Sequence, residues 1–125
     1  LLDDALAKLP AFEGVVYRGT YLPESVRAQF KPGAIFTDHA FMSTSIARHT
    51  AFGGNVNFVI KSRSARKVAG FSKYPEEGEV LFPSGTRFIV KNVMPDPSDR
   101  NVLIVEMEEI TGSEFDALGT IVRRQ

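Results

Sequence analysis

Residues 55–61 read Asn-Val-Asn-Phe-Val-Ile-Lys and alternate polar with apolar side chains. Val56, Phe58 and Ile60 share one side of an extended chain, which is the pattern of a strand with one buried face. Turn sequences that contain Pro and Gly separate the apolar runs that follow. Those runs lie at residues 79–82, 87–94 and 102–110. The second half of the chain is therefore predicted to form β-sheet.

The first half mixes short helices with strand pieces. Leucines recur at helical spacing over residues 1–9, and Pro10 ends that predicted helix. Two short helices are expected. The first covers residues 23–30, with Pro23 in its first turn and Pro32-Gly33 after its end. The second covers residues 46–52, after a Ser/Thr cap candidate and before Gly53-Gly54. Strand pieces are expected at residues 14–20, 34–36 and 39–43. The whole pattern predicts one α+β domain with sheets that pack on each other.

The composition suits one globular domain. The chain has 125 residues, of which 43% are apolar and ten are Phe, so it can bury a modest core. Fifteen basic residues balance fifteen acidic ones, which argues against a general attraction to nucleic acid or anionic lipid. The absence of cysteine excludes disulfides and Cys-based metal sites. No apolar run approaches the roughly 20 residues that span a bilayer.

Three short motifs stand in order along this framework: Val-Val-Tyr-Arg-Gly, Phe-Met-Ser-Thr-Ser and Glu-Gly-Glu-Val-Leu. Their anchors Arg18, Ser43 and Glu79 are separated by 25 and 36 positions. Each motif alone has a plain structural explanation, namely a sheet-edge arginine, a helix cap and solvated glutamates. On a strand, Glu77 and Glu79 would project to the same side, and a purely structural sheet has no use for that arrangement.

In this order the motifs resemble the R-S-E class of mono-ADP-ribosyltransferases, a family that moves ADP-ribose from NAD to a protein side chain. The resemblance covers roughly residues 11–110. It implies an α+β, ADP-ribosyltransferase-like fold in which two packed, antiparallel-rich sheets form an NAD cleft with a few short helices. It also implies one domain over residues 1–125, which we expect to be the C-terminal module of a longer bacterial toxin or effector. NAD is the implied co-substrate, and no metal is expected.

The resemblance implies roles for four catalytic residues. Arg18 would bind NAD phosphate, a task that suits the two-pronged guanidinium. Ser43 would hydrogen bond to the catalytic glutamate and hold it in place. That glutamate is Glu79, which would bind the ribose 2′-hydroxyl and stabilise the oxocarbenium-like charge as nicotinamide leaves. Glu77 would orient and deprotonate the acceptor, and a Glu-x-Glu pattern marks arginine acceptors in the family.

The resemblance also implies a nicotinamide pocket. The backbone at Gly19 would hold the nicotinamide amide, and Thr44 would help to shape the pocket. Ser45 belongs to the expected NAD-binding set, although its hydroxyl also suits a cap for the helix that follows. Phe52 matches in position an aromatic residue that stacks on nicotinamide in the family, and packing in the core is the other interpretation.

Residues 71–75 precede the glutamate pair and are expected to meet the target protein. Phe71 and Tyr74 are candidates for contacts with it, while packing against the sheet is the alternative. A basic cluster lies just before them and is interpreted either as a solvated loop or as a surface that steers the substrate. Its members are Lys61, Arg63, Arg66 and Lys67.

Three activities fit the motifs. Besides transfer to arginine, the same residues would serve NAD hydrolysis with water as acceptor, or a catalytically silent fold kept for binding. The expected partner is a protein with an accessible arginine, together with a cognate immunity protein if the toxin acts on rival bacteria. A monomer that is secreted and delivered into the cytosol of a target cell is expected. Host-directed and antibacterial action both remain open. His39 and His49 lack any spacing typical of a metal site.

Overall fold

The computed structural model of the chain describes residues 4–5, 7–40, 42–68, 78–110 and 121–122. The described strands are β1 (Ala11–Thr20), β2 (Ile35–Asp38), β3 (Met42–Ser45), β4 (Val56–Lys67), β5 (Glu79–Phe82), β6 (Thr86–Asp96), β7 (Asp99–Ile110) and β8 (Ile121–Val122). The helices named here each make one turn and are α1 (Glu24–Arg27) and α2 (Arg48–Ala51). No described helix is long and apolar enough to cross a membrane.

The strands form one continuous hydrogen-bonded network that folds back on itself. Its order is β1-β3-β5-β4-β7-β6-β2-β8, and β1 also pairs with β4. Strands β1, β3, β5 and β4 therefore close a ring, from which the rest of the sheet extends through β7. The described pairings are antiparallel except for β4–β7 and β2–β8. The predicted sheets are thus antiparallel-rich and are joined to each other along β1 and β4.

The hydrophobic core lies between the short strands of the ring and the long strands of the extended sheet. Phe82 on β5 packs edge-on against Phe88 on β6, with 5.0 Å between ring centroids, although these strands are not hydrogen-bonded neighbours. Phe30 follows α1. Its ring centroid lies 5.1 Å from that of Phe36 and 5.4 Å from that of Phe58. All five rings are buried, and aromatic pairs of this kind contribute about 0.5–1.5 kcal/mol each beyond the area they bury.

Strand β4 pairs with β1 and β5 of the ring and also with β7 of the extended sheet. The buried carboxylate of Glu109 lies where β4 passes from one to the other. The first half of β4 pairs with β7 as far as Lys61, and its end pairs with β5 from Arg66. Between these points a bulge also interrupts its pairing with β1. Glu109 on β7 accepts the backbone N–H groups of Arg63 and Ser64, each at 2.8 Å. The carboxylate thereby satisfies donors that have left the ladder, and β4 continues towards the ring.

The predicted strands are confirmed, with different ends. Strand β1 begins at Ala11 rather than at residue 14, and β6 and β7 run up to the predicted turn at residues 95–99. The strand predicted at 39–43 was wrong at its start. The Asp38 carboxylate accepts the backbone N–H of Ala40 at 2.9 Å, and this local turn delays β3 until Met42.

The predicted helices are shorter than the sequence pattern indicates. Each has only one turn, and Val26 is the one buried residue in α1 while α2 has none. A single turn forms few backbone hydrogen bonds for the dihedral angles that it fixes, so both helices depend on the sheet beneath them. Of the helix predicted over residues 1–9, residues 4–5 are helical, residues 7–9 form a turn and a bend, and the others lie outside the described residues.

Candidate active site

The three motifs meet on adjacent strands of the ring. Tyr17 on β1 pairs with Ser45 on β3, and Ser45 in turn pairs with Glu79 on β5. Directly paired residues present their side chains on the same face of a sheet. Strand alternation places Ser43 on that face as well. The fold therefore brings together segments that lie 25 and 36 positions apart in sequence.

Two hydrogen bonds connect the anchors of the motifs. The Ser43 hydroxyl Oγ donates to Oε2 of Glu79 at 3.0 Å. The Arg18 guanidinium donates from Nη1 to the backbone oxygen of Ser43 at 2.9 Å. Arg18 thus braces the strand whose serine holds the glutamate, and the predicted contact between Ser43 and Glu79 is present. A guanidinium has five N–H donors, so Arg18 retains donors for a phosphate.

Thr44 lies on the inner face of β3. Its side chain is only 4% exposed and points to the inside of the ring. Its hydroxyl donates to the backbone oxygen of Val80 at 2.7 Å. The reason is strand alternation, which turns Thr44 inward when Ser43 and Ser45 face outward. Thr44 therefore ties β3 to β5, and a direct contact with nicotinamide is not supported.

Ser45 organises the chain that leaves β3. Its Oγ accepts the backbone N–H of Ala47 at 2.9 Å and lies 3.3 Å from Oγ1 of Thr50. The predicted cap was wrong, because the N-cap residue of α2 is Ala47 and no side chain caps that helix. The Ser45 hydroxyl instead closes a local turn just before the helix. Ser45 also stays on the face that carries Glu79, so the side chain remains a candidate for NAD binding.

Phe52 lies outside the buried core and on the active-site face. It is partly exposed and does not belong to the main buried cluster. The edge of the Tyr17 ring packs against it, with 5.8 Å between centroids, and Tyr17 faces the same way as Glu79. The Arg48 guanidinium lies over the ring at 5.0 Å from its centroid. The ring already stacks with one cation, which is the type of partner that a nicotinamide ring would be.

Gly19 is glycine for a reason that the sequence did not reveal. A Cβ at this position would lie 2.6 Å from the backbone oxygen of Ala51 and would overlap the backbone of Gly53. The chain that follows α2 therefore lies directly on β1. This close backbone approach is made by the segment that carries Phe52, and the contact of the Gly19 backbone with nicotinamide stays a prediction.

Two asparagines fix the same region and were missed by the sequence analysis. Asn57, which is 5% exposed, accepts the Gly53 N–H at 3.0 Å through Oδ1. Asn55 binds both backbone groups of Leu22, accepting at 2.8 Å and donating at 2.9 Å. Asn is depleted in strands, so two asparagines at the start of an apolar strand were the available signal.

A small pocket adjoins Arg18 on the inner side of β1. Its walls include Leu22, Phe36 and Phe58, and its polar lining includes Asp38. An apolar recess beside a guanidinium is the combination that ligand sites commonly use. Arg18 therefore faces this recess, on the side of β1 opposite to Tyr17.

Three predicted site residues lie outside the described part of the chain. They are Glu77, Phe71 and Tyr74. The argument that Glu77 and Glu79 share a strand face was wrong in its premise, because β5 begins at Glu79 and Gly78 has φ +62°. Strand alternation requires an extended residue between the two, and Gly78 is not extended.

The basic cluster was also assigned wrongly to a loop. Its residues lie within β4, where Lys61, Arg63 and Lys67 are exposed. Arg66 donates from Nη1 to the backbone oxygen of Leu9 at 2.8 Å, and the Lys67 ammonium lies 5.8 Å from the centroid of Phe12. These members are held by neighbouring structure, which weakens the interpretation as a steering surface.

Metal ligands form no cluster in the part of the chain that the structure describes. No group of three or more His, Cys, Asp or Glu side chains is arranged there to hold an ion.

Comparison with known proteins supports the resemblance to ADP-ribosyltransferases. The model of the NAD:arginine ADP-ribosyltransferase family matches residues 1–111. The Mav protein of Mycobacterium avium is 44% identical over 111 residues, which are 86% of this chain and 14% of that protein. The NAD(+)--protein-arginine ADP-ribosyltransferase Tre1 of Serratia proteamaculans is 39% identical over 106 residues, or 85% of this chain and 23% of that protein.

A solved structure extends the comparison to the fold. The type III effector XopAI from Xanthomonas axonopodis pv. citri is 30% identical and matches with a TM-score of 0.73, over 86% of this chain and 49% of that chain. The chain spans less than a quarter of Mav and of Tre1. The sequence resemblance and the ADP-ribosyltransferase-like fold are both confirmed. The ordered Arg18, Ser43 and Glu79 and the family match over residues 1–111 show that this chain belongs to the NAD:arginine ADP-ribosyltransferase family.

Proposed function

We propose that this domain transfers ADP-ribose from NAD to arginine side chains of a target protein. The observation that carries the proposal is the hydrogen bond from Ser43 Oγ to Glu79 Oε2 at 3.0 Å. It fixes one carboxylate oxygen on the open face of β5. A held carboxylate is preorganised to stabilise positive charge that develops on a substrate.

The proposed reaction follows from the charges involved. The bond between the ribose C1′ and the nicotinamide nitrogen breaks, and its electron pair leaves with neutral nicotinamide. Glu79 hydrogen bonds to the ribose and stabilises the oxocarbenium-like charge. A guanidinium nitrogen of the acceptor then bonds to C1′ and gives up a proton. Arg18 holds phosphate through the charge-assisted, two-pronged contacts that suit a guanidinium.

The arginine acceptor is supported by the residue type that precedes Glu79 by two positions. Free guanidinium has a pKa above about 12 and is a poor nucleophile while protonated. A carboxylate beside it can hold it and accept its proton as the new bond forms. Glu77 supplies that carboxylate in the proposal, and the arginine specificity in the name of Tre1 agrees with this choice.

NAD hydrolysis is the second candidate, because the described residues Arg18, Ser43 and Glu79 would serve it equally. Glu77→Gln separates the two activities. We expect the variant to lose most arginine modification, because the acceptor loses its base, while nicotinamide release remains measurable. One purified and folded sample would be assayed with labelled NAD, once alone and once with agmatine as a small guanidine acceptor.

Each outcome of that experiment has a clear meaning. Equal loss of both activities would show that Glu77 supports cleavage of the nicotinamide bond. Undiminished transfer would remove Glu77 from the site. A parent protein that releases nicotinamide but never labels agmatine or protein would favour hydrolysis. A parent protein with neither activity would favour a silent binding fold.

We further propose that the domain acts as a bacterial toxin or effector inside a target cell, with an immunity protein as its partner if the target is a rival bacterium. XopAI is a type III effector, and the resemblance described above points the same way. Expression of the parent in a bacterial cytosol should arrest growth. Glu79→Gln should not, since it keeps the fold and removes the chemistry.

A further inference from the structure

Ile46 and Gly78 are in direct contact between the Ser-Thr-Ser motif and the glutamate pair. The Ile46 N–H donates to the backbone oxygen of Gly78 at 3.1 Å. A Cβ at Gly78 would overlap Cγ1 and Cδ1 of the Ile46 side chain. Ile46 therefore covers the bare Cα of Gly78 and occupies the space that any other side chain would need.

The backbone at Gly78 gives a second, independent reason for glycine. Its φ of +62° lies in the left-handed region, which residues with a Cβ rarely adopt. Gly78 is also buried, and it is the middle residue of the Glu-Gly-Glu motif. The direction in which the chain enters Glu79 is therefore set at Gly78.

Glu79 is anchored separately from this turn. Its carboxylate accepts the Ser43 hydroxyl, its backbone oxygen accepts the Val68 N–H at 3.1 Å, and it pairs with Ser45 across the ladder. A disturbance at Gly78 is therefore expected to displace the chain on the Glu77 side more than Glu79 itself.

We propose that Ile46 is a positioning residue that clamps Gly78 and thereby sets the ratio of arginine transfer to NAD hydrolysis. This rests on the proposed function, in which Glu77 acts on the acceptor and Glu79 on NAD. It also explains why a large apolar side chain that is 42% exposed follows the Ser-Thr-Ser motif directly. Ile46 acts through Gly78 and Glu77 and touches neither substrate nor reacting atoms.

The test compares Gly78→Ala, Ile46→Ala and the double variant. Nicotinamide release is measured without acceptor, and transfer is measured with agmatine. Gly78→Ala is expected to lower transfer about 10- to 100-fold, because a shift of about 1 Å in a positioning group has effects of that size. Nicotinamide release should fall less than about threefold. The double variant should transfer about tenfold better than Gly78→Ala, because the overlap with Ile46 is relieved, yet less well than the parent, because no side chain then covers Gly78.

The matched control is Gly85→Ala in the turn between β5 and β6. Gly85 has φ +82°, but nothing lies within 4 Å of a Cβ at that position. The Gly85→Ala substitution imposes comparable backbone strain without a clash. The transfer-to-hydrolysis ratio of this variant should stay at the parent value. The melting temperature of every variant separates lost structure from lost positioning.

The proposal fails if Gly78→Ala lowers both activities by the same factor, or if the double variant transfers no better than Gly78→Ala. A parent protein that releases nicotinamide but modifies neither agmatine nor protein contradicts the proposed function itself, and the inference with it. That outcome is visible in the parent alone, before any variant is made, so the two failures are distinguishable.

Discussion

The catalytic edge of the ring and the β6–β7 hairpin are built in opposite ways. Strands β3 and β5 have four residues each, and their key side-chain contacts join residues 25 and 36 positions apart. The hairpin pairs strands of 11 and 12 residues through one short turn. The edge therefore depends on the complete fold, whereas the hairpin depends mainly on neighbours in sequence.

On the short strands of the catalytic edge, function and stability depend on opposite faces of the same strand. Within β3, Met42 and Thr44 face the core while Ser43 and Ser45 face the active site. Each short strand thus carries chemistry on one face and packing on the other. Substitutions on the outer face are expected to change activity with little loss of stability. Substitutions in the exposed hairpin turn should change neither by much.

Glu79→Gln should have the largest effect on activity. The carboxylate is proposed to act on charge that exists in the transition state, so transfer and nicotinamide release should both fall by about 10²–10³. NAD binding and the melting temperature should stay close to those of the parent. Single-turnover assays and calorimetry on the folded variant would check this, and substantial residual activity would contradict the assignment of Glu79.

Arg18→Lys should have the next largest effect. An ammonium cannot reproduce the two-pronged contact with a phosphate, and it would also disturb the hydrogen bond to the Ser43 backbone oxygen. NAD is expected to bind about tenfold more weakly, which corresponds to roughly 1.4 kcal/mol. Titration calorimetry measures the difference, and an unchanged affinity would exclude the phosphate role.

Ser43→Ala should reduce activity less than Glu79→Gln. It removes the 3.0 Å hydrogen bond to Glu79 but leaves the carboxylate present, so the group is loosened rather than lost. Hydrogen bonds to charged groups contribute about 1.5–3 kcal/mol, and a decrease in turnover of about tenfold is expected. Steady-state kinetics would show whether the loss falls on kcat, as a positioning role requires, or on KM.

Asp96→Ala in the hairpin turn should have the smallest effect. The side-chain and backbone hydrogen bonds from Ser98 hold the pKa of Asp96 below its ordinary value of 3.8. A lowered pKa stabilises the folded state above that value, and the contribution disappears as the pH falls through the lower, folded-state pKa. The variant should therefore differ slightly from the parent at neutral pH and converge with it in acid. Urea unfolding at several pH values measures this, and a large loss of transfer activity would overturn the contrast.

Much of the fold was accessible from sequence because its signals are local. The alternation at residues 55–61 predicted β4, and Pro and Gly marked the turns that bound β5, β6 and β7. The helices were overestimated because the same spacing fits one turn or several. The crossing of β4 from β7 to β5 had no local signal, since it depends on the Glu109 carboxylate meeting two backbone N–H groups of another strand.

The strand periodicity and the order of Arg18, Ser43 and Glu79 are properties of the chain alone. Which groups those residues contact depends on how the strands pack. That packing makes Arg18 brace the Ser43 backbone, turns Thr44 inward, and places the chain after α2 directly on Gly19. The reason is physical. Periodicity is a property of consecutive residues, whereas a hydrogen bond between residues 36 positions apart exists only when packing brings their strands together.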